Sequence, residues 1–356
     1  MHSRTILLAL VFAATIISAT AQAPQSRYEE LMAKADSAYR IGKFNDGISY
    51  ATEAAVIAES FAGKDSWVMA INHNLLGELY RNTAQFDKAE FHLKQAVAII
   101  QREKGPDDID AARVMNTLGV MYSTQLRNRE ADSVFRRSLA IHIKVLGPNA
   151  DETAMIMNDI GELFRDQHQL DSAERYFTQA IAIGEKAGKG KTVYMGYRLN
   201  NLSLVRQEQG RLDEAIPLMR RAIGIYEDSL PANHPTTAMA YNNIGVVYYD
   251  KRQLDSTEKY WVKGLAASEA ALGADHPQVG MTCANLAVLY SDKKDAVKAE
   301  EYFKRAIANY EKAHGPSSPT LVQVLLMYAT FLQNQGRLDE SIALQSRAKA
   351  IKDGVK

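Results

Sequence analysis

A small residue recurs every 42 residues along most of this chain. The column consists of Ala35, Gly77, Gly119, Gly161, Ser203, Gly245, Ala287 and Ala329, and its spacing never changes. An asparagine stands three residues before it in five successive repeats, and a large residue usually stands three residues after it. A fixed period of this length predicts a solenoid, because each repeat then buries its apolar face only against its neighbours.

The composition indicates a folded protein that does not bind nucleic acid. Lys plus Arg and Asp plus Glu both number 42, so the formal net charge is +0, whereas nucleic-acid binding requires a basic surface. The 46% of hydrophobic residues can supply a core. Length alone allows two or three domains, but the unbroken period favours one elongated domain over residues 26–352, followed by a tail over residues 353–356.

The first 21 residues have the composition of a secretory signal peptide. A short basic start ends at Arg4, an apolar run follows from Thr5, and Ala19-Thr-Ala21 supplies the small residues that signal peptidase requires. We expect cleavage after Ala21, a linker over residues 22–25, and an exported protein, periplasmic or secreted, in a bacterium. An uncleaved anchor is the alternative, although the run is short for a membrane-spanning helix of ~20 residues. No later segment is apolar enough to span a membrane.

Each repeat is predicted to form two helices. The 3.6-residue period of apolar residues places the first helices near residues 26–41, 67–83, 109–125, 151–167, 193–209, 235–251, 277–293 and 319–335. A second helix then starts at Phe86-Asp87, where Asp87 is the expected N-cap. Proline follows His234 and His276 and suits a first helical turn, so we expect both histidines to be turn and capping residues.

The loop before repeat five, residues 184–192, resembles a phosphate-binding loop only superficially. That motif needs its first glycine at residue 185, which is Glu185 here, and it needs a preceding strand. The same glycine-rich loop, together with Ser203 and Arg206 at positions that elsewhere hold glycine and tyrosine, predicts a softer joint between repeats four and five. We therefore expect a flexible connection here and no nucleotide site.

Motifs of catalysis and metal binding are missing from the sequence. Cys283 is the only cysteine and is expected to be a buried thiol, and the eight histidines lack zinc-ligand spacing. The acidic run Asp107-Asp-Ile-Asp110 has too few oxygens for calcium and suits the start of a helix. We expect no catalytic residues, no metal and no cofactor.

Four segments resemble the tetratricopeptide repeat of the kinesin-light-chain type. They are Asn242-Asn-Ile-Gly245, Leu272-Gly-Ala-Asp-His-Pro277, Ala284-Asn-Leu-Ala-Val-Leu-Tyr290 and Ala299-Glu-Glu-Tyr-Phe-Lys-Arg-Ala-Ile307. The resemblance covers about residues 26–352. It implies an all-α fold, namely a right-handed α-solenoid superhelix of about eight helix-turn-helix units whose concave wall is made by the first helices. It also implies a protein-interaction role, although a fold does not identify the partner.

The asparagine column is the candidate binding feature. With Gly77 numbered position 8 of its first helix, positions 2, 5, 9 and 12 share one face. Position 5 holds Asn74, Asn116, Asn158, Asn200 and Asn242, and position 6 holds Asn201, Asn243 and Asn285. Around them we expect Arg81, Arg113, Arg165, Tyr197 and Tyr249, which include residue types common in binding hot spots.

Two interpretations of this column remain open, and both can hold together. An amide side chain has one acceptor and two donors, so the asparagines can pair with the main chain of an extended peptide. Alternatively, each asparagine bonds to the neighbouring repeat and staples the superhelix. The first interpretation favours an exported adaptor that binds a peptide or protein segment in its concave groove. The alternatives are a structural subunit of a bacterial envelope or secretion assembly that uses its convex faces and ends, and a regulator of an enzyme.

Overall fold

The structure is a computed structural model that describes residues 19–354. That part of the chain contains sixteen α-helices and no strand. The helices are α1 (Ala19–Arg40), α2 (Phe44–Ala62), α3 (Trp67–Asn82), α4 (Phe86–Lys104), α5 (Ile109–Thr124), α6 (Asn128–Leu146), α7 (Asp151–Asp166), α8 (Leu170–Lys186), α9 (Val193–Glu208), α10 (Leu212–Ser229), α11 (Pro235–Asp250), α12 (Leu254–Leu272), α13 (Pro277–Asp292), α14 (Ala296–His314), α15 (Leu321–Asn334) and α16 (Leu338–Lys352). Residues 1–18 of the predicted signal peptide lie outside the described residues.

The helices form eight consecutive pairs, which confirms the predicted all-α solenoid of helix-turn-helix repeats. The predicted first helices agree with the structure to within two residues, except that α1 begins at Ala19 rather than near residue 26. No helix in the described range is both long enough and apolar enough to cross a membrane.

The recurring small residues allow the two helices of a pair to approach closely. A Cβ atom added at Gly119 would lie 2.5 Å from the Phe135 ring, and one at Gly161 would lie 2.7 Å from the Phe177 ring. The second helices contribute their own buried small column, which is Ala96, Ser138, Ala180, Ala222, Ala306 and Ala348. Large side chains therefore fill the space that the facing glycines leave open.

The start of the second helix differs from the prediction. Asp87 lies inside the first turn of α4, and the N-cap is Gln85, whose side chain makes no capping hydrogen bond. The carboxylate of Asp87 therefore acts on the helix dipole rather than as a cap. The displacement follows from the turn, because Ala84 has a left-handed φ of 55° and the chain re-enters the helix immediately after it.

Both histidine caps are confirmed. The Nδ1 of His234 accepts a hydrogen bond from the Thr236 N–H at 3.1 Å, and the Nδ1 of His276 accepts one from the Gln278 N–H at 3.2 Å. Proline occupies the first turn of each helix that follows. The cap and the proline together satisfy or remove donors that a helix start leaves unpaired.

Neighbouring repeats are joined by a recurring link, in which a second-helix glutamate accepts hydrogen bonds from a tyrosine and a cation of the next repeat. Glu90 accepts from the Tyr122 hydroxyl at 2.9 Å and from Arg127 at 2.5 Å. The same link recurs as Glu258 with Tyr290 and Lys293, and as Glu300 with Tyr328 and Arg337. These donors lower the pKa of Glu90 and of Glu300 to about 2.

The chain divides into two compact units between Ala187 and Gly188. The first unit contains α1 to α8 and has an apolar core that includes Tyr28, Leu79 and Phe135. The second unit contains α9 to α16 and has a core that includes Trp261 and Phe303. The boundary lies between repeats four and five, where the glycine-rich loop also lies.

Candidate functional site: the first-helix face

The candidate site is the face formed by positions 2, 5, 6, 9 and 12 of the first helices, called here the first-helix face. Successive first helices lie beside one another within each unit, as α5 does beside α7, α11 beside α9 and α13 beside α15. Side chains at equal positions therefore form rows that run across several helices.

The asparagines of the second unit form a ladder between repeats. The Asn243 Nδ2 donates to the Asn200 Oδ1 at 3.2 Å, and the Asn285 Nδ2 donates to the Asn242 Oδ1 at 3.0 Å. Each bond joins position 5 of one repeat to position 6 of the next. This geometry matches the stapling interpretation, because the amides of neighbouring repeats pair with each other.

A second set of bonds runs parallel to the asparagine ladder, at position 12. The Gln207 Nε2 donates to Asp250 at 2.7 Å, and the Tyr249 hydroxyl donates to Asp292 at 2.7 Å. Partial burial, reinforced by the bond to Asp292, raises the pKa of Tyr249 to about 12. The predicted site residue Tyr249 therefore takes part in a contact between repeats.

Asn116 of the first unit forms a bond of the same kind. The Asn116 Nδ2 donates to Asp159, at position 6 of the next repeat, at 2.7 Å. Asn158 donates to Glu162 in its own helix at 3.0 Å. Position 6 opposite Asn74 is Thr117, whose hydroxyl bonds to the carbonyl of Arg113. The ladder is therefore regular only where both positions carry suitable polar groups.

The predicted arginines lie on the charged face of the first unit. Arg113 bonds to both carboxylate oxygens of Glu152 at 2.9–3.1 Å and also to Asp110 at 2.8 Å. Arg165 lies 3.3 Å from Asp166. Arg81 lies near buried Glu78, whose pKa is raised by burial although the hydrogen bond from Tyr39 and the charge of Arg81 oppose this shift.

The two units differ sharply in the charge of this face. Each unit contributes twenty positions, five from each of four first helices. In the first unit eight of the twenty are Asp, Glu or Arg, namely Glu29, Asp36, Glu78, Arg81, Arg113, Asp159, Glu162 and Arg165. In the second unit none of the twenty is Asp, Glu, Lys or Arg, although 24% of the whole chain is charged.

Exposed apolar side chains line the uncharged face. Tyr197, Met239 and Met281 all occupy position 2, and their exposed fractions are 39%, 47% and 38%. Of these, the sequence analysis identified only Tyr197. The signal in the sequence was that Met239 and Met281 follow Tyr197 at intervals of 42 residues. It was missed because a single methionine in an amphipathic helix normally belongs to the hydrophobic core.

The stapling interpretation makes a stability prediction. Asn242→Ala removes the bond to Asn285, so we expect the free energy of unfolding to fall by about 1 kcal/mol, the net worth of a typical hydrogen bond. Asn74→Ala is the matched control, because Asn74 occupies the same position outside the ladder, and it should cost less. Chemical denaturation of both variants provides the measurement. An unchanged stability of Asn242→Ala would count against the staple.

Two further features lie outside this face. The His73 and His92 rings meet with their Nδ1 atoms 2.7 Å apart, and His92 stacks on Tyr80. Within the described residues no group of three or more His, Cys, Asp or Glu side chains is arranged to hold a metal ion. The loop over residues 188–192 follows helix α8, and the Thr192 hydroxyl caps α9 by accepting from the Met195 N–H.

The paired helices and their side-by-side first helices define an α-helical repeat protein of the interaction-scaffold class. The sequence profile of the tetratricopeptide repeat matches residues 67–144, 110–186, 197–256 and 236–312. The chain therefore belongs to the tetratricopeptide repeat family. A comparison with curated proteins gave no significant match.

Solved structures with the same fold come from proteins of diverse function. Aspartyl phosphate phosphatase F from Bacillus subtilis is 15% identical with a TM-score of 0.60, and the match covers 96% of each chain. BtubC (BKLC) from P. vanneervenii is 17% identical with a TM-score of 0.51, covering 70% of this chain and 92% of that one. PilW, described as a widely conserved type IV pilus biogenesis factor, is 17% identical with a TM-score of 0.52, covering 67% and 92%. At these identities the similarity shows the fold alone.

Proposed function

We propose that this protein is an exported interaction scaffold that binds a peptide or protein segment along its first-helix face. The family supports a scaffold rather than a catalytic role, and the observation that carries the proposal is the row of exposed side chains across α9, α11 and α13. Aromatic and methionine side chains at such positions are typical of interfaces. The basic, apolar and small-residue order of residues 1–21 supports export.

Site-specific photo-cross-linking in cells tests this proposal. A benzophenone amino acid placed at Tyr197 samples the first-helix face, and one placed at Val262, which is 43% exposed, samples the surface of the second helix α12 in the same unit. We expect protein or peptide adducts from position 197 and none from position 262. Gel electrophoresis and mass spectrometry identify the adducts.

The alternative role, a structural subunit of an envelope or secretion assembly, predicts the reverse pattern. Adducts from position 262 alone would support that alternative and refute binding along the first-helix face. Adducts from neither position would also refute the proposal. The two positions lie in neighbouring repeats of one unit, so expression and folding affect both variants in similar ways.

A further inference from the structure

We infer that the first-helix face of the second unit binds a neutral, apolar peptide segment, and that its exposed apolar side chains rather than its asparagines make the contact. This inference rests on the proposed function and specifies the ligand of the same face. The rows on this face differ in how far their hydrogen-bonding capacity is already used. That difference separates groups that hold the repeats together from groups that are available to a ligand.

The polar rows are engaged between repeats. Asn200 and Asn243 pair with each other, as do Asn242 and Asn285, and position 12 is bonded through Tyr249 to Asp292. A peptide that used these amides would have to replace bonds that already exist. Exchange of one hydrogen bond for another yields little net free energy, so the asparagines are poor sources of affinity.

The apolar row contributes exposed surface to the face, even though the Tyr197 ring also packs on Tyr226 within its own repeat, with the ring centroids 5.6 Å apart. Tyr197, Met239 and Met281 occupy position 2 on α9, α11 and α13, and each is more than a third exposed. Half-buried Leu204, Val246 and Val288 occupy position 9 of the same helices. Methionine adapts its shape to different partners, and covering exposed apolar surface is the main source of affinity at such faces.

The absence of charge determines the chemistry of the ligand. None of the twenty positions of this face is Asp, Glu, Lys or Arg. The adjoining carboxylates of Asp250 and Asp292 already accept hydrogen bonds from Gln207 and Tyr249. A charged side chain docked on this face would therefore lose water without gaining an ion pair from it. A neutral segment with aliphatic, methionine or aromatic side chains carries no such penalty. The first unit, where eight of the twenty positions are Asp, Glu or Arg, is the internal contrast.

Selection from a phage library of random 12-residue peptides, panned on the purified protein, tests the inference. We expect the enriched peptides to have a net charge near zero and several large apolar residues. Synthetic copies, measured by fluorescence polarisation, should bind at least about tenfold more weakly to Met239→Lys and to Met281→Lys, because the lysine introduces an unpaired charge. Their affinity should change by less than about twofold between 50 and 500 mM salt, because no charge pair is involved.

Met155→Lys is the matched control. Met155 occupies position 2 of α7, in the first unit, and its substitution should leave peptide affinity unchanged. Thermal melts identify any variant that is unfolded, and Tyr197→Ser supplies a variant of the same row without added charge.

Charged peptides whose binding survives Met239→Lys would overturn this inference, yet adducts at position 197 would still support the proposed function. Failure to enrich any peptide would overturn the inference as well, and the cross-linking result decides separately whether the proposed function fails with it.

Discussion

Replacing Gly245 by valine is expected to destabilise the second unit by about 3 kcal/mol, the upper end of the usual cost of overpacking a core. A Cβ atom at this position would lie below contact distance from the Trp261 ring. The ring cannot simply retreat, because the Trp261 Nε1 donates a hydrogen bond to the Asn242 carbonyl at 3.0 Å. Denaturant unfolding followed by far-UV circular dichroism measures the loss.

A control and a rescue distinguish overpacking from a general effect of losing glycine. Gly224 lies in α10 with nothing within 4 Å of an added Cβ, so Gly224→Ala should stabilise by about 0.5–1 kcal/mol. Repeat five already contains the pair Ser203 and Met219 at the corresponding positions. Gly245→Ser combined with Trp261→Met recreates that pair and should recover much of the stability lost in Gly245→Ser alone. A double variant no better than the single one would contradict the packing explanation.

Acidification from pH 6.5 to pH 4 is expected to weaken the first unit through buried His142 and the half-buried His73 and His92. Burial, together with the charge of His73, lowers the pKa of His92 to about 4, and burial also lowers the pKa of His73 and of His142. A histidine whose pKa is lower in the folded state binds fewer protons there than in the unfolded state, so stability falls as the pH drops below 6.5. The His92 shift corresponds to ~3 kcal/mol, and because the ring is only half-buried we expect a loss of about 1–2 kcal/mol.

His92→Gln isolates the contribution of the pair. Glutamine can still hydrogen bond to His73 but does not titrate, so the stability difference from the parent protein should grow as the pH falls from 6.5 to 4. His314→Gln, at an exposed position, is the control. Glu90 and Glu300 remain ionised in this range because their pKa is about 2. Buried Glu78 has a raised pKa, so its protonation stabilises the folded state as the pH falls and opposes the effect of the histidines. A pH profile unaffected by His92→Gln would refute the assignment.

The helix order was predictable from the sequence because the 42-residue period repeats the same pattern of small, apolar and helix-starting residues eight times. Gly77 and its equivalents identify where helices touch, and the prolines after His234 and His276 identify where helices begin. The start of α4 was predicted less well, because the left-handed turn residue before it is Ala84 rather than glycine. In repeats three and four the same turn position is Leu126 and His168, neither of which signals a turn by its residue type.

The candidate site was predictable only as a set of positions. The asparagine column is visible in the sequence, but the ladder pairs position 5 with position 6 of the next repeat, and only coordinates show which of several polar neighbours is bonded. The meeting of His73 and His92 was missed for the same reason, since it depends on how α3 packs on α4. Whether the asparagines contact a partner stays a prediction, for which Asn242→Ala provides the measurement.

The glutamate link between repeats has a mechanical consequence. Because Glu90, Glu258 and Glu300 each join one repeat only to the next, a pulling force on either end of a unit loads one link at a time. Repeats should then detach in sequence, each releasing 42 residues, which extend to ~150 Å of chain. Such a protein yields gradually under tension and keeps its remaining repeats folded.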